Sequence, residues 1–215
     1  MGKWVVIVGV VIALLCLGSD RRVAVDGVTT MAPKVSEYLV PQITCRKGRD
    51  TSTGTATIIS QRWLFTASHV IEGAERCAME RSAPRSVPVD LEIERNDVEH
   101  DVVILRGEIN TPAFELTCNG FLTGQTYYMV GYPYGRSLMV IPLVATNAYT
   151  TGILANGIEI EHLRILKGKT FPGMSGGPIL DQEGRVVGIT SSRPTNGASV
   201  TMAKEVADTF ICADK

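Results

Sequence analysis

The chain has 215 residues, 45% hydrophobic and 20% charged, enough for a buried core in one large domain or two small ones. Its 21 Lys and Arg stand against 22 Asp and Glu, and this formal net charge of -1 offers no global positive field to a polynucleotide, so a nucleic acid partner is not expected. With 21 Gly, 10 Pro and no repeating period, disordered and fibrous architectures are excluded too.

Residues 4–18, WVVIVGVVIALLCLG, form an apolar run of 15 between Lys3 and the polar Ser19, Asp20, Arg21 and Arg22. A membrane-spanning helix needs about 20 apolar residues, so this run has the length of a signal-peptide core. Cleavage is expected at Gly18/Ser19, with Cys16 where a small residue is usual. An uncleaved signal anchor is the alternative, because Arg21 and Arg22 flank the run as Lys3 does. Leu15 stands against a lipid anchor at Cys16. The expected destination is secreted or periplasmic, with membrane attachment only through residues 4–18. Residues 19–36 are polar without a clear period and read as a linker or propeptide.

From Tyr38 onward, short β-branched and apolar runs alternate with turn clusters: YLVPQITC, GTATIIS, RWLFT, VPVDLEIE, DVVILR, TYYMVGY, LMVIPLVA, GIEIEHLRI, GPILD, RVVGITSS and ASVTMA. Helical periods do not intervene between most of them, so the expected class is all-β with antiparallel pairing. Residues 107–125 gather Pro, Asn, Gly and Thr and mark a crossing between two halves, 37–115 and 116–215. The closing stretch KEVADTFIC, Lys204 to Cys212, has helical spacing and predicts a short carboxy-terminal helix. Without residues 1–18, four cysteines remain: Cys45, Cys77, Cys118 and Cys212. An even number in an exported chain points to two disulfides, with three connectivities open. There is no C-x-x-C pair and no histidine at ligand spacing from a cysteine, so no metal is expected.

The strongest chemical signal is Phe171-Pro172-Gly173-Met174-Ser175-Gly176-Gly177-Pro178. A serine among glycines presents its hydroxyl while neighbouring N–H groups face the carbonyl oxygen under attack. The bland alternative is a Gly-Pro turn with an incidental serine. GMSGG also fits the G-x-S-x-G elbow of α/β-hydrolases, but there the histidine follows the serine, and His69, His100 and His162 all precede Ser175. A serine nucleophile needs a base. His69 ends the apolar segment WLFTASH, and Asp101 precedes the strand VVIL, with Asp97 as its rival four residues earlier. His162 alternates with apolar neighbours and reads as a strand-face residue; Val130-Gly131-Tyr132-Pro133-Tyr134-Gly135 reads as a barrel loop with two tyrosines at the cleft edge.

TASH, HDVVIL and GMSGGP in that order resemble the chymotrypsin-like, or trypsin-like, serine proteases, over about residues 40–212. The resemblance implies two six-stranded antiparallel β-barrels with the site between them, and acyl transfer to Ser175 without a cofactor. Carried onto this sequence, it implies Ser175 as nucleophile, His69 as base and then acid, and Asp101 holding the tautomer. The N–H groups of Gly173 and Ser175 would form the oxyanion hole, and Ser191 would lie beside the aspartate. Animal zymogens carry Asp before the serine, where this chain has Met174, and no IVGG-like start is present, so the likeness is to the bacterial and viral branch. It covers the protease domain of the periplasmic heat-shock members without their PDZ extension. Cys45–Cys77 resembles the histidine-loop bridge, although Val70 stands where that bridge's partner usually follows the histidine, and Cys118–Cys212 resembles the long-range bridge. Lys169, Thr170, Thr190, Ser191, Ser192 and Arg193 would line the substrate pocket, with no acid to favour Lys or Arg. The expected activity is an exported serine endopeptidase acting on a protein or peptide; the rivals are a silent module that binds a partner and an esterase with the same triad.

Overall fold

The computed structural model describes residues 22–25, 28–80, 88–153, 157, 159–191 and 200–213, and these are mostly strand and turn. The signal segment expected over residues 1–18 lies outside them. Residues up to Met31 form a unit of their own, in which β1 (Arg22–Val25) pairs antiparallel with β2 (Val28–Met31). These two strands fall where the polar composition predicts none. The second unit runs from Ala32 to the end of the chain.

Within the second unit the first sheet comprises β3 (Gln42–Lys47), β4 (Asp50–Thr55), β5 (Thr57–Ile58), β6 (Trp63–Thr66), β7 (Arg76–Glu80), β8 (Val89–Asp97) and β9 (Val102–Arg106). Its order is β4-β3-β7-β8-β9-β6-β5, with antiparallel neighbours throughout. Only Ala56 separates β4 from β5, which lie at opposite ends of that order, so the sheet turns a corner there and curls back on itself. Period-2 alternation aims Ile43, Cys45, Leu64, Cys77, Met79 and Leu105 into one apolar core. A closed barrel follows, ordered β10-β11-β12-β15-β14-β13, from β10 (Thr126–Gly131), β11 (Met139–Ile153), β12 (Glu159–Lys167), β13 (Pro178–Leu180), β14 (Val186–Thr190) and β15 (Val200–Glu205). Met129, Leu143, Leu166, Met174 and Ile179 fill it. Phe65 and Val102 of the first sheet meet Tyr128, Val130, Leu180 and Ile189 of the barrel in a further cluster that packs the two halves together. The fold is all-β and chymotrypsin-like.

Three differences from the sequence reading have physical causes. Strand β4 has no apolar alternation; its first four residues are exposed, and it gains its place by edge pairing with β3. Strand β7 carries only two inward anchors, Cys77 and Met79, too few to stand out. The expected helix over Lys204–Cys212 is mostly something else: Lys204 and Glu205 end β15, paired with Ile189 and Gly188, and a 3-10 turn (Val206–Asp208) leads to the single turn α1 (Phe210–Ala213). Barrel closure overrides a helical spacing only nine residues long.

Disulfides join Cys45 to Cys77, directly opposite each other on β3 and β7, and Cys118 to Cys212. The second ties the crossing segment to the carboxy-terminal turn over a sequence separation of 94. Replacing Cys118 and Cys212 together by alanine is expected to lower unfolding free energy by about 4 kcal/mol, through the loop entropy returned to the unfolded chain. Urea denaturation of the oxidised protein beside the double variant measures this.

Candidate active site

Strand β6 ends in the small residues Ala67 and Ser68, which let the chain enter a 3-10 turn at Ser68–Val70. That turn is fastened to Asp101. The Ser68 N–H donates to the Asp101 carbonyl at 3.2 Å, and the His69 N–H donates to Asp101 Oδ1 at 2.9 Å. His69 Nδ1 lies 2.9 Å from Oδ2 and 3.1 Å from Oδ1 of the same carboxylate. Just past the end of β14, the Ser191 hydroxyl donates to Oδ2. Asp101 is 0% exposed, and these donors supply the partners that a buried carboxylate requires. Its φ of 54° is one that Asp adopts more readily than most residues. Asp97 is engaged elsewhere, with both oxygens 2.9 Å from His100 Nδ1.

The loop carrying Ser175 is shaped by glycines that no other residue replaces. Gly173 has φ 91°, and a Cβ there would lie 2.5 Å from the Tyr132 carbonyl oxygen. Gly176 has φ 81°, and its Cβ would strike Thr66 Oγ1 and the Thr55 carbonyl and come within 2.7 Å of the Ala67 nitrogen. Gly176→Ala is therefore expected to displace the loop, destabilising the fold by about 1–3 kcal/mol through overpacking and abolishing reaction with serine-directed probes; melting temperature and labelling together check it.

Backbone hydrogen bonds orient the loop's peptide groups. The Tyr134 N–H donates to the Pro172 carbonyl at 2.6 Å, and the Gly177 N–H to the Met174 carbonyl at 3.0 Å. In a trans peptide the N–H points opposite to the C=O, so the Gly173 and Ser175 N–H groups turn away from Tyr134 and Gly177. Met174 is buried in the closed barrel. The histidine turn and the serine loop approach across Gly54, where a Cβ would lie 2.7 Å from Val70 Cγ1 and 3.2 Å from the Ser175 carbonyl oxygen. Ser52 secures the histidine side by donating to the Val70 carbonyl at 2.6 Å.

The expected pocket residues separate. Lys169 is exposed and Thr170 buried, while Thr190 and Ser191 are buried at the end of β14. Ser192 and Arg193 lie outside the described residues. Thr190 is built into the loop, its N–H donating to the Gly177 carbonyl at 2.9 Å and its carbonyl accepting from the Gly176 N–H at 2.7 Å. The Thr170 and Thr190 hydroxyls are buried without a hydrogen-bond partner among the described residues. Tyr132 is buried between the two halves, and exposed Tyr134 sets its ring 6.0 Å from that of Phe171. His162 is exposed on β12, its ring 6.3 Å from that of Tyr149. The sequence reading passes over Thr55, which touches the serine loop through both its backbone and its hydroxyl; no local pattern marks it.

Residues 54–189 match the model of the trypsin-like peptidase domain, well over half of the 215 residues. The chain belongs to the trypsin-like peptidase domain family. Among solved structures it is similar to the active form of the Rv3671c protease from M. tuberculosis, with a TM-score of 0.72 and 21% identity over 80% of this chain and 78% of that one. It is also similar to the HtrA-type protease AlgW with tripeptide, with a TM-score of 0.67 and 24% identity over 80% of this chain and 57% of that one. Two curated relatives match. The uncharacterized protein y4bJ of Sinorhizobium fredii (strain NBRC 101917 / NGR234) is 30% identical over 148 residues, 68% of this chain and 23% of the relative. The serine protease Do-like HtrA of Bacillus subtilis (strain 168) is 23% identical over 194 residues, 81% of this chain and 41% of the relative. The chain thus spans less than half the length of either curated relative.

Proposed function

We propose that this chain is an exported serine endopeptidase that cleaves peptide bonds through Ser175, His69 and Asp101. The observation that carries this reading is the buried Asp101 carboxylate, which accepts from the backbone N–H of His69, meets its ring Nδ1 and takes the hydroxyl of Ser191. Committing Nδ1–H to Asp101 leaves Nε2 unprotonated, the state a general base requires. Ser175 Oγ attacks the scissile carbonyl as His69 Nε2 takes its proton. The oxygen of the tetrahedral intermediate is received by the N–H groups of Gly173 and Ser175. His69 then returns the proton to the leaving amine, and water releases the acyl group by the same route.

Membership in the peptidase family supports the reaction class, and two disulfides fit an oxidising compartment outside the cytoplasm. Among the described residues no helix is long and apolar enough to cross a membrane. Cleavage after Lys or Arg is not expected, since the candidate lining of Lys169, Thr170, Thr190, Ser191, Ser192 and Arg193 holds no carboxylate. The test is incubation of the full chain with an unfolded protein and with matched peptide esters, fragments being mapped by mass spectrometry. New peptide termini that disappear with Ser175→Ala support the endopeptidase. Ester turnover alone would replace it with an esterase, and binding without turnover with a silent module.

A further inference from the structure

We infer that Thr55, at the end of β4, is a positioning residue that holds the oxyanion loop in its reactive shape. The inference rests on the endopeptidase reading of Ser175. Thr55 grips the loop on both sides of Met174: its hydroxyl donates to the Gly173 carbonyl at 2.7 Å, and its N–H donates to the Ser175 carbonyl at 2.9 Å. The hydroxyl oxygen also accepts from the Tyr132 N–H at 3.1 Å. On the other side, the Thr55 carbonyl accepts from Thr66 Oγ1 at 2.8 Å, three residues before His69. One fully buried threonine of the first sheet thus joins the histidine strand, the serine loop and the Tyr132 turn.

The surroundings are cut to fit this hydroxyl. A Cβ at Gly131 would lie 2.8 Å from Thr55 Oγ1, and one at Gly177 would lie 3.1 Å from Thr55 Cγ2. The loop needs an outside anchor, because Gly173 and Gly176 both have positive φ, and glycine leaves that region at little cost. If the Gly173 carbonyl is released, the peptide between Gly173 and Met174 is held only through its N–H, which donates to the Phe171 carbonyl at 3.2 Å, and the flanking N–H groups lose their aim. Those N–H groups act on charge that develops in the transition state, so the anchor acts on kcat more than on KM.

The test compares Thr55→Val, which keeps the shape and removes the hydroxyl, with Thr55→Ser, which keeps the hydroxyl and removes the methyl. Steady-state kinetics on the fastest-cleaved peptide are measured beside inhibition by a peptide boronic acid of the same sequence. Losing one oxyanion donor outright costs 10²–10³-fold in kcat, so misaiming by Thr55→Val is expected to cost about 10–100-fold, with KM little changed. The boronate inhibition constant is expected to rise by the factor by which kcat/KM falls, and Thr55→Ser to restore most of both. Thr55→Ala, which removes the hydroxyl without adding bulk, should give the same split and decides the matter if Thr55→Val does not fold. A Thr55→Val enzyme with wild-type kcat, or one whose loss Thr55→Ser does not rescue, overturns the assignment while leaving the endopeptidase intact. A folded wild type that neither cleaves peptides nor reacts with a fluorophosphonate overturns the endopeptidase reading and the role of Thr55 together.

Discussion

Ser175→Ala and His69→Ala are each expected to lower kcat by about a million-fold, because nucleophile and base act as one unit and the loss of either removes nearly all the covalent chemistry. The two differ in structural consequence. Ser175 is half-buried, and its N–H and carbonyl stay in place in the alanine variant, so the melting temperature should hold. His69→Ala takes away the ring that meets Asp101 Oδ2 at 2.9 Å and leaves a fully buried carboxylate short of a partner, so this variant should also lose stability. Labelling by a fluorophosphonate, with thermal denaturation on the same samples, separates the effects. Loss of labelling in both variants, with an unchanged melting temperature in Ser175→Ala, is the expected result. Undiminished labelling of Ser175→Ala would place the nucleophile elsewhere.

Asp101→Asn is expected to lower kcat by about 10⁴-fold while preserving the fold. The backbone conformation favours the comparison, since Asn tolerates the φ of 54° found at this position. An amide in place of the carboxylate sets an NH₂ against His69 Nδ1, which favours the tautomer with its proton on Nε2, the wrong one for accepting from serine. It also withdraws the charge that would balance the imidazolium formed during attack. Asp97→Asn, which disturbs the pairing with His100 and the charge that faces Lys204 but no contact of Asp101, should leave the rate close to wild type. Rates of phosphonylation by a fluorophosphonate, in which the serine oxygen displaces fluoride from phosphorus, report the effect at the nucleophilic step. Equal losses in the two variants would mean that the histidine is oriented by the polar turn as a whole and not by the one buried carboxylate.

Most strands were legible by period-2 alternation against a core, as where Gln42–Lys47 turns Ile43 and Cys45 inward, or as continuous apolar runs, as in Val102–Arg106, buried along most of its length. Polar Asp50–Thr55 was not legible, since an edge strand that pairs on one side needs no apolar pattern, and Arg22–Met31 escaped for the same want of a signal. The carboxy-terminal segment misled because its helical spacing competes with the register that pairs Lys204 with Ile189. In the site, residue types and chain order pointed to His69, Asp101 and Ser175, yet left Asp97 as a rival for Asp101. The turn at residues 97–101 settles their partners: it hands Asp97 to His100 and Asp101 to His69.

Sequence alone determined the all-β class, the four cysteines that follow residue 18 and the histidine, aspartate and serine segments, because each is written in residue type and short spacing. Tertiary structure alone decided which peptide groups of the serine loop are held and by what. Thr55 meets the Gly173 carbonyl across 118 residues and the Tyr132 N–H across 77. Such partners meet only when one sheet packs on the other, and a hydroxyl carries no periodicity that would announce the meeting beforehand.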